Sequence, residues 1–213
     1  MTDIIRTERL RLTPLTIKSL NRYVQIAKTM RKTKEKNPAY FLYARFDYNA
    51  VKTEADLSNA VTDMITNIGD TPHKIIKRFN ICLKNGYIIG YIGFFHNSTE
   101  KISSDFGIFL APKYEHKGYA LEAQKSLLAY YFSNYDDKLY LTIHPKNQPS
   151  YRLNTKCGAQ KIAHTDTSKY GSERDILVIT RKKFIESVFH KKFANAEKEK
   201  LFLLDYLKIY NKI

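Results

Sequence analysis

A chain of 213 residues that is 43% hydrophobic and 13% aromatic carries enough apolar material for one packed domain with a small appendage, which excludes wholesale disorder. Its net charge of +15, from 36 Lys and Arg against 21 Asp and Glu, favours polyanions and repels a cationic substrate such as a polyamine at long range. The two cysteines, Cys82 and Cys157, are too few for a disulfide framework or a zinc site. The start, MTDIIRTERLRLTPL, has charges where a signal peptide needs an apolar core. No apolar run reaches the roughly 20 residues that cross a bilayer, so a soluble cytoplasmic protein without a membrane partner is expected.

Thr7 to Leu15 reads TERLRLTPL, with Leu10 and Leu12 facing one way and Arg9 and Arg11 the other. That alternation is a half-buried strand, ended by Pro14. Thr16 offers a helix cap, and Ile17, Leu20, Tyr23, Val24 and Ala27 recur at helical spacing. The charged run RKTKEK, residues 31–36, reads as a loop, and the mixed period from Asn37 to Asn49 carries no assignment. A second helix is expected from Thr53 along Leu57, Val61, Met64 and Ile68, stopped by Gly69 and Pro72. Arg78 to Leu83 and Tyr87 to Phe95 are strands joined by a two-residue Asn85-Gly86 turn. Gly90 and Gly93 in the second of them mark a bulge or a close backbone approach. Ser104 to Leu110 makes a third strand, Gly118 to Phe132 a helix, and Lys138 to Ile143 a strand. Gln148 to Lys156 is a short helix that Gly158 terminates, and Ala159 to Thr165 and Arg174 to Thr180 close as two strands.

Residues 184–213 mix Phe184, Val188, Phe193, Leu201, Leu204, Tyr206 and Leu207 with many Lys, the pattern of one or two amphipathic helices that dock on the domain or serve a partner. The element order predicts an α/β (α+β) fold over residues 1–183, a mixed, mostly antiparallel sheet flanked by helices, followed by this C-terminal helical extension.

The stretch FGIFLAPKYEHKGYALEAQKSLLAYYF, residues 106–132, runs from a strand through a short loop into a helix opened by Gly118 and Ala120. Small residues there let a ligand approach the backbone. The first helical turn leaves N–H groups unpaired and a partial positive charge at the mouth, an anion site suited to a pyrophosphate. Lys117 adds a side-chain charge. An ordinary tight turn would show the same local pattern.

Gly118 and Ala120 resemble the phosphate-binding motif of the GNAT acetyltransferase superfamily, which reads Gln or Arg, two residues, Gly, one residue, then Gly or Ala. KGYALEA, Lys117 to Ala123, and TERLRLTPL, residues 7–15, look like the branch that includes the ribosomal-protein N-terminal (alanine) acetyltransferases. Asp105-Phe106-Gly107 stands where that branch commonly has an acidic residue, an apolar one and Gly. HPKNQPSYRLNTKCGA, residues 144–159, resembles its last motif through Asn147, Ser150, Lys156 and Gly158. The matches follow in order over residues 5–183. The chain departs from the pattern at Glu115, where Gln or Arg is usual, and at His116, where Gly is usual. A carboxylate beside a pyrophosphate is unfavourable unless it turns to solvent or to a base such as Lys113, so the backbone donors must carry the binding.

The resemblance implies a GNAT-like fold and direct transfer of an acetyl group from acetyl-coenzyme A, the cosubstrate, to a primary amine on a protein N-terminus, a lysine or a small molecule. It implies a pantetheine arm between strands 104–110 and 138–143, paired with backbone groups at Phe109 and Leu110. The amides of His116, Lys117, Gly118, Tyr119 and Ala120 would hold the pyrophosphate, Asn147 would hydrogen-bond the arm, and Ser150 would lie near the sulfur. For the proton of the amine, Asp105 is the first candidate base and Glu122 the second, and each also fits a structural role. Cys157, at a helix end without a paired His, reads as packing, and His96, His116 and His144 lack ligand spacing, so no metal is expected. A second reading keeps the fold without turnover, as a binding protein associated with RNA, the ribosome or another acidic partner, and a homodimer is compatible with both.

Overall fold

Leu10 and Leu12 are fully buried and Arg11 is exposed, as the alternation predicts. They belong to β2 (Leu10–Pro14), which pairs antiparallel with a two-residue strand β1 (Ile5–Arg6). The structure, a computed structural model, describes residues 4–36, 74–97, 106–166 and 173–210, together with positions 55, 56, 59 and 62. The expected single strand is therefore a hairpin. Its turn is held by Thr7, whose N–H donates to Leu10 O (3.0 Å) and whose Oγ1 accepts from Leu10 N–H (2.8 Å).

A 3-10 turn at Ile17–Ser19 leads into α1 (Leu20–Lys36), with Thr16 at the N-cap position but making no side-chain cap bond. The run RKTKEK continues this helix instead of forming a loop, because Lys, Arg and Glu are good helix formers and need no burial. Tyr23 and Ile26 are its buried contacts. The Tyr23 hydroxyl lies 2.9 Å from Asn80 Oδ1 and 2.8 Å from Gly90 O, and the Asn80 amide donates to Pro14 O (3.1 Å) and Thr13 Oγ1 (3.2 Å). This buried polar set fastens α1 to the sheet. The segment from Asn37 to Asn49 and most of the helix expected from Thr53 lie outside the described residues; Ala55, Asp56, Asn59 and Thr62 within it are helical.

Strands β3 (Lys74–Leu83), β4 (Ile88–Asn97) and β5 (Gly107–Leu110) complete an antiparallel sheet in the order β1-β2-β3-β4-β5. The β3–β4 turn is one residue longer than expected. Gly86 N–H donates to Leu83 O and Leu83 N–H to Tyr87 O (both 2.9 Å), so Lys84, Asn85 and Gly86 form the loop, with Gly86 at φ +86°. Gly90 and Gly93 make the close approaches that their position in a strand implied. The register shifts at Ile81/Cys82, opposite Ile88 and Gly90, and a Cβ on Gly93 would stand 2.7 Å from Lys77 O.

A second antiparallel sheet has the order β6 (Lys138–Ile143), β8 (Arg174–Thr180), β7 (Gln160–Thr165). Helix α2 (Tyr119–Asn134) connects β5 to β6, and its Leu127, Leu128 and Phe132 join Leu12, Ile92, Leu139 and Ile179 in one core. Helix α3 (Gln148–Lys156) follows β6, and two helices, α4 (Arg181–Phe189) and α5 (Ala196–Ile209), follow β8. Of the two uses expected for the C-terminal segment, docking on the domain is the one seen. Phe184 and Leu203 are fully buried, Phe189 packs against Phe202 and Tyr206, and the Tyr206 hydroxyl meets Ser126 Oγ of α2 at 3.5 Å. The whole is a mixed α/β arrangement with antiparallel sheets flanked by helices.

Candidate functional site

Among the described residues β5 is the last strand of one sheet and β6 the outer strand of the other, so each offers an edge that no described strand of its own sheet pairs. Ala111 N–H donates to Ile89 O (2.7 Å). Antiparallel pairing alternates, so the backbone groups of Phe109 turn toward β4 and those of Leu110 toward the open edge. The Phe109 ring stands edge-on to Tyr91 (4.4 Å) and Tyr23 (6.1 Å) and wedges the strand against α1.

Beyond β5 a short turn, Pro112–Tyr114, leads into the loop Glu115–Gly118 and then α2. His116 has φ +58° and Gly118 φ +80°. A positive φ at residue 116 explains in conformational terms why glycine is usual there. The first intrahelical bond runs from Glu122 N–H to Gly118 O (3.1 Å), so the amides of Tyr119, Ala120 and Leu121 have no acceptor within the helix. Successive N–H groups on left-handed turns form a concavity that holds anions. His116 and Lys117 are exposed at its rim. The cradle is open at Gly118, where among the described residues a Cβ would meet only Arg9 Nη2, at 3.2 Å. Residues that present orphan amides and a space that a side chain would fill fit the diphosphate of a nucleotide cosubstrate.

Glu122 faces the β1–β2 turn. Its carboxylate accepts from Thr7 Oγ1 (2.5 Å), Arg9 N–H (2.7 Å) and Arg9 Nε (2.6 Å). Three donors on one carboxylate make it a tether that joins the start of α2 to the first hairpin. Asp105 lies outside the described residues.

At the other edge, Asn147 caps α3, its Oδ1 accepting from Ser150 N–H (3.2 Å). Ser150 Oγ accepts from Asn154 Nδ2 (3.3 Å), and Asn154 Oδ1 accepts from Gln124 Nε2 of α2 (2.8 Å). Ser150 therefore keeps its hydroxyl proton to donate. Gln124 and Asn154 are both buried. The sequence reading singled out neither, although a Gln inside the apolar run of α2 was the available sign. Behind α3, the buried Asp175 accepts from the Tyr151 hydroxyl, from Lys161 Nζ (2.7 Å) and from His164 Nδ1 (2.7 Å), which fastens α3 to β7 and β8.

Cys157 is fully buried, and burial pushes its thiol from 9.0 up to about 12. It stays protonated, as a packing residue does. At pH 8 a thiol reagent should label neither Cys157 nor the buried Cys82 until the chain unfolds; labelling at the rate of an exposed thiol would contradict the burial. Because the unfolded thiol loses its proton first, native stability should fall between pH 9 and pH 12, by about 1.4 kcal/mol per unit from this group. Urea unfolding of Cys157→Ala should show that slope reduced. Among the described residues no cluster of three or more His, Cys, Asp or Glu could hold a metal, and no helix is long and apolar enough to cross a membrane.

The family model for an acetyltransferase (GNAT) domain matches residues 9–160, a span that contains the cradle, both open strands and α3. The uncharacterized N-acetyltransferase YnaD of Bacillus subtilis (strain 168) is 35% identical over 98 residues, 45% of this chain and 54% of that protein; the match thus spans about half the length of this relative. Among solved structures, the RimL ribosomal L7/L12 α-N-protein acetyltransferase in complex with coenzyme A superposes with a TM-score of 0.66 at 13% identity, covering 84% of this chain and 98% of that one. The Vibrio cholerae spermidine N-acetyltransferase in complex with coenzyme A and spermine gives 0.59 at 18% identity, covering 83% and 98%. At such identities the likeness is one of fold. The match of the domain over residues 9–160, on a chain folded this way, shows that it belongs to the GNAT acetyltransferase family.

Proposed function

We propose that this chain is an N-acetyltransferase that uses acetyl-coenzyme A to acetylate a primary amine by direct transfer. The observation that carries the reading is the cradle of amides at Tyr119–Leu121, which have no acceptor among the described residues, with Gly118 beside it and the edge of β5 that no described strand pairs next to it. Acetyl-coenzyme A supplies the activated acyl group as a thioester. The amides of His116 to Ala120 receive its diphosphate, and Leu110 offers backbone groups to the pantetheine arm. Asn147 uses its oxygen on the helix cap and presents its NH2 group to the same arm. Ser150, with Asn154 already donating to its oxygen, gives its proton or a hydrogen bond to the leaving sulfur. Glu122 positions the cradle through Arg9 and Thr7 and does not take the proton of the amine. Asp105 stays the candidate for that role.

The acceptor is a protein N-terminus, a lysine or a small amine. The net charge of +15 favours an acceptor set in acidic surroundings over a free polyamine. An amine panel with acetyl-coenzyme A, followed by thiol release, tests the reading. Ser150→Ala should lower kcat about 100-fold, the lower range for general acid catalysis. Asn147→Ala should raise KM for acetyl-coenzyme A by about 3- to 10-fold, the worth of one hydrogen bond. Full activity in both variants removes these roles, and absence of thiol release with every amine removes the enzyme reading. The same charge supports the second reading, a silent binder of RNA or another acidic partner, whose affinity should fall steeply with salt.

A further inference from the structure

Arg9 reaches the mouth of α2 from the other end of the chain, 108 positions before Lys117. Its Nε donates to Glu122 Oε2 (2.6 Å), one Nη1 hydrogen goes to Lys117 O (3.1 Å), and its guanidinium lies over the Tyr119 ring at 4.7 Å. A guanidinium has five N–H donors in a fixed plane. Two are engaged, and the other three have no acceptor among the described residues. Nη2 stands at the lip of the cradle, 3.2 Å from where a Cβ of Gly118 would be. Glu122, held by Thr7 and by the backbone and Nε of Arg9, fixes the orientation of the fork.

The position where related loops carry Gln or Arg holds Glu115 in this chain. We propose that Arg9 is a phosphate-binding residue of this site, which supplies from the β1–β2 turn a forked cationic donor where the loop itself offers only the point charges of Lys113 and Lys117. A planar fork with two unused donors on Nη2 and one on Nη1 matches two oxygens of a diphosphate, which a lysine point charge would not. Stacking on Tyr119 and the carboxylate behind it hold the fork in place before a ligand arrives, so little side-chain entropy is lost on binding. The proposal rests on reading the cradle as the coenzyme A site.

Calorimetric titration with two probes separates the two ideas: coenzyme A, and pantetheine, which has the same arm without the diphosphate. Arg9→Gln should bind coenzyme A about 10- to 100-fold more weakly than wild type, the range for a charge-assisted hydrogen bond, with pantetheine affinity unchanged. Arg9→Lys should lie between, since it keeps the charge and loses the fork. Equal coenzyme A affinity in wild type and Arg9→Gln overturns the proposal. So does an equal loss for both probes, which would mark Arg9 as a structural tether alone. If Arg9→Gln does not fold, the same two criteria apply to Arg9→Lys. A wild-type protein that ignores coenzyme A overturns the cradle reading first and the role of Arg9 with it.

Discussion

Gly118→Val should lower coenzyme A affinity by at least about 30-fold, a loss of roughly 2 kcal/mol, while the protein stays folded. Gly118 occupies φ +80°, where a residue with a Cβ costs about 1–2 kcal/mol and a β-branched one more. The new Cβ would also stand 3.2 Å from Arg9 Nη2. The chain can relieve this in two ways, and both damage the cradle. If residue 118 swings to a negative φ, its amide and that of Tyr119 stop converging with those of Ala120 and Leu121. If it stays, the Arg9 guanidinium must shift to make room, and the branched side chain fills the mouth that the anion would enter. His116→Gly is the contrast: residue 116 already sits at φ +58°, so glycine relaxes it and coenzyme A affinity should stay within about threefold of wild type. Isothermal titration reads both variants. A Gly118→Val protein that binds coenzyme A like wild type would show that the amides at this mouth are not the anion site.

What the sequence made legible was local. The alternation around Leu10 and Leu12, the turn at Asn85-Gly86, the glycines of β4, the helix opened after Gly118 and the short helix before Cys157 all depend on neighbours within a few positions. The partners of Glu122 do not. Thr7 and Arg9 lie 115 and 113 positions away, and alternation alone marks Arg9 only as an outward side chain. The link from Gln124 through Asn154 to Ser150 likewise exists only once α2 and α3 are packed. Charge misled at residues 31–36, where a run of Lys, Arg and Glu looks like a loop yet has the propensity to extend α1. At Asn147 the resemblance implies a partner of the arm, while the cap it makes, with Oδ1 accepting from Ser150 N–H, is seen only in the folded chain.

Gly90→Ala is expected to destabilise the fold by at least about 3 kcal/mol, because it overpacks a site bounded by the backbone of β5. The added Cβ would lie 2.2 Å from Phe109 O and 2.9 Å from Leu110 Cα, so the backbone of β5 would have to retreat. That retreat loosens the Tyr91–Phe109 ring contact at 4.4 Å and strains the bond from the Tyr23 hydroxyl to Gly90 O at 2.8 Å, which ties α1 to the sheet. For a chain of this length each kcal/mol lowers Tm by about 2–4 °C, so a fall of about 6–12 °C follows. Gly107→Ala on the partner strand is the internal control. A Cβ there meets none of the described residues within 4 Å, so its Tm should stay within about 2 °C of wild type. The two variants also divide stability from function. Since Leu110 would offer its backbone to the pantetheine arm, whatever Gly90→Ala protein remains folded at low temperature should bind coenzyme A more weakly than Gly107→Ala does. Equal Tm and equal affinity in the two would mean that β4 and β5 do not approach as closely at Gly90 as this packing requires, and the edge that receives the arm would have to be sought elsewhere.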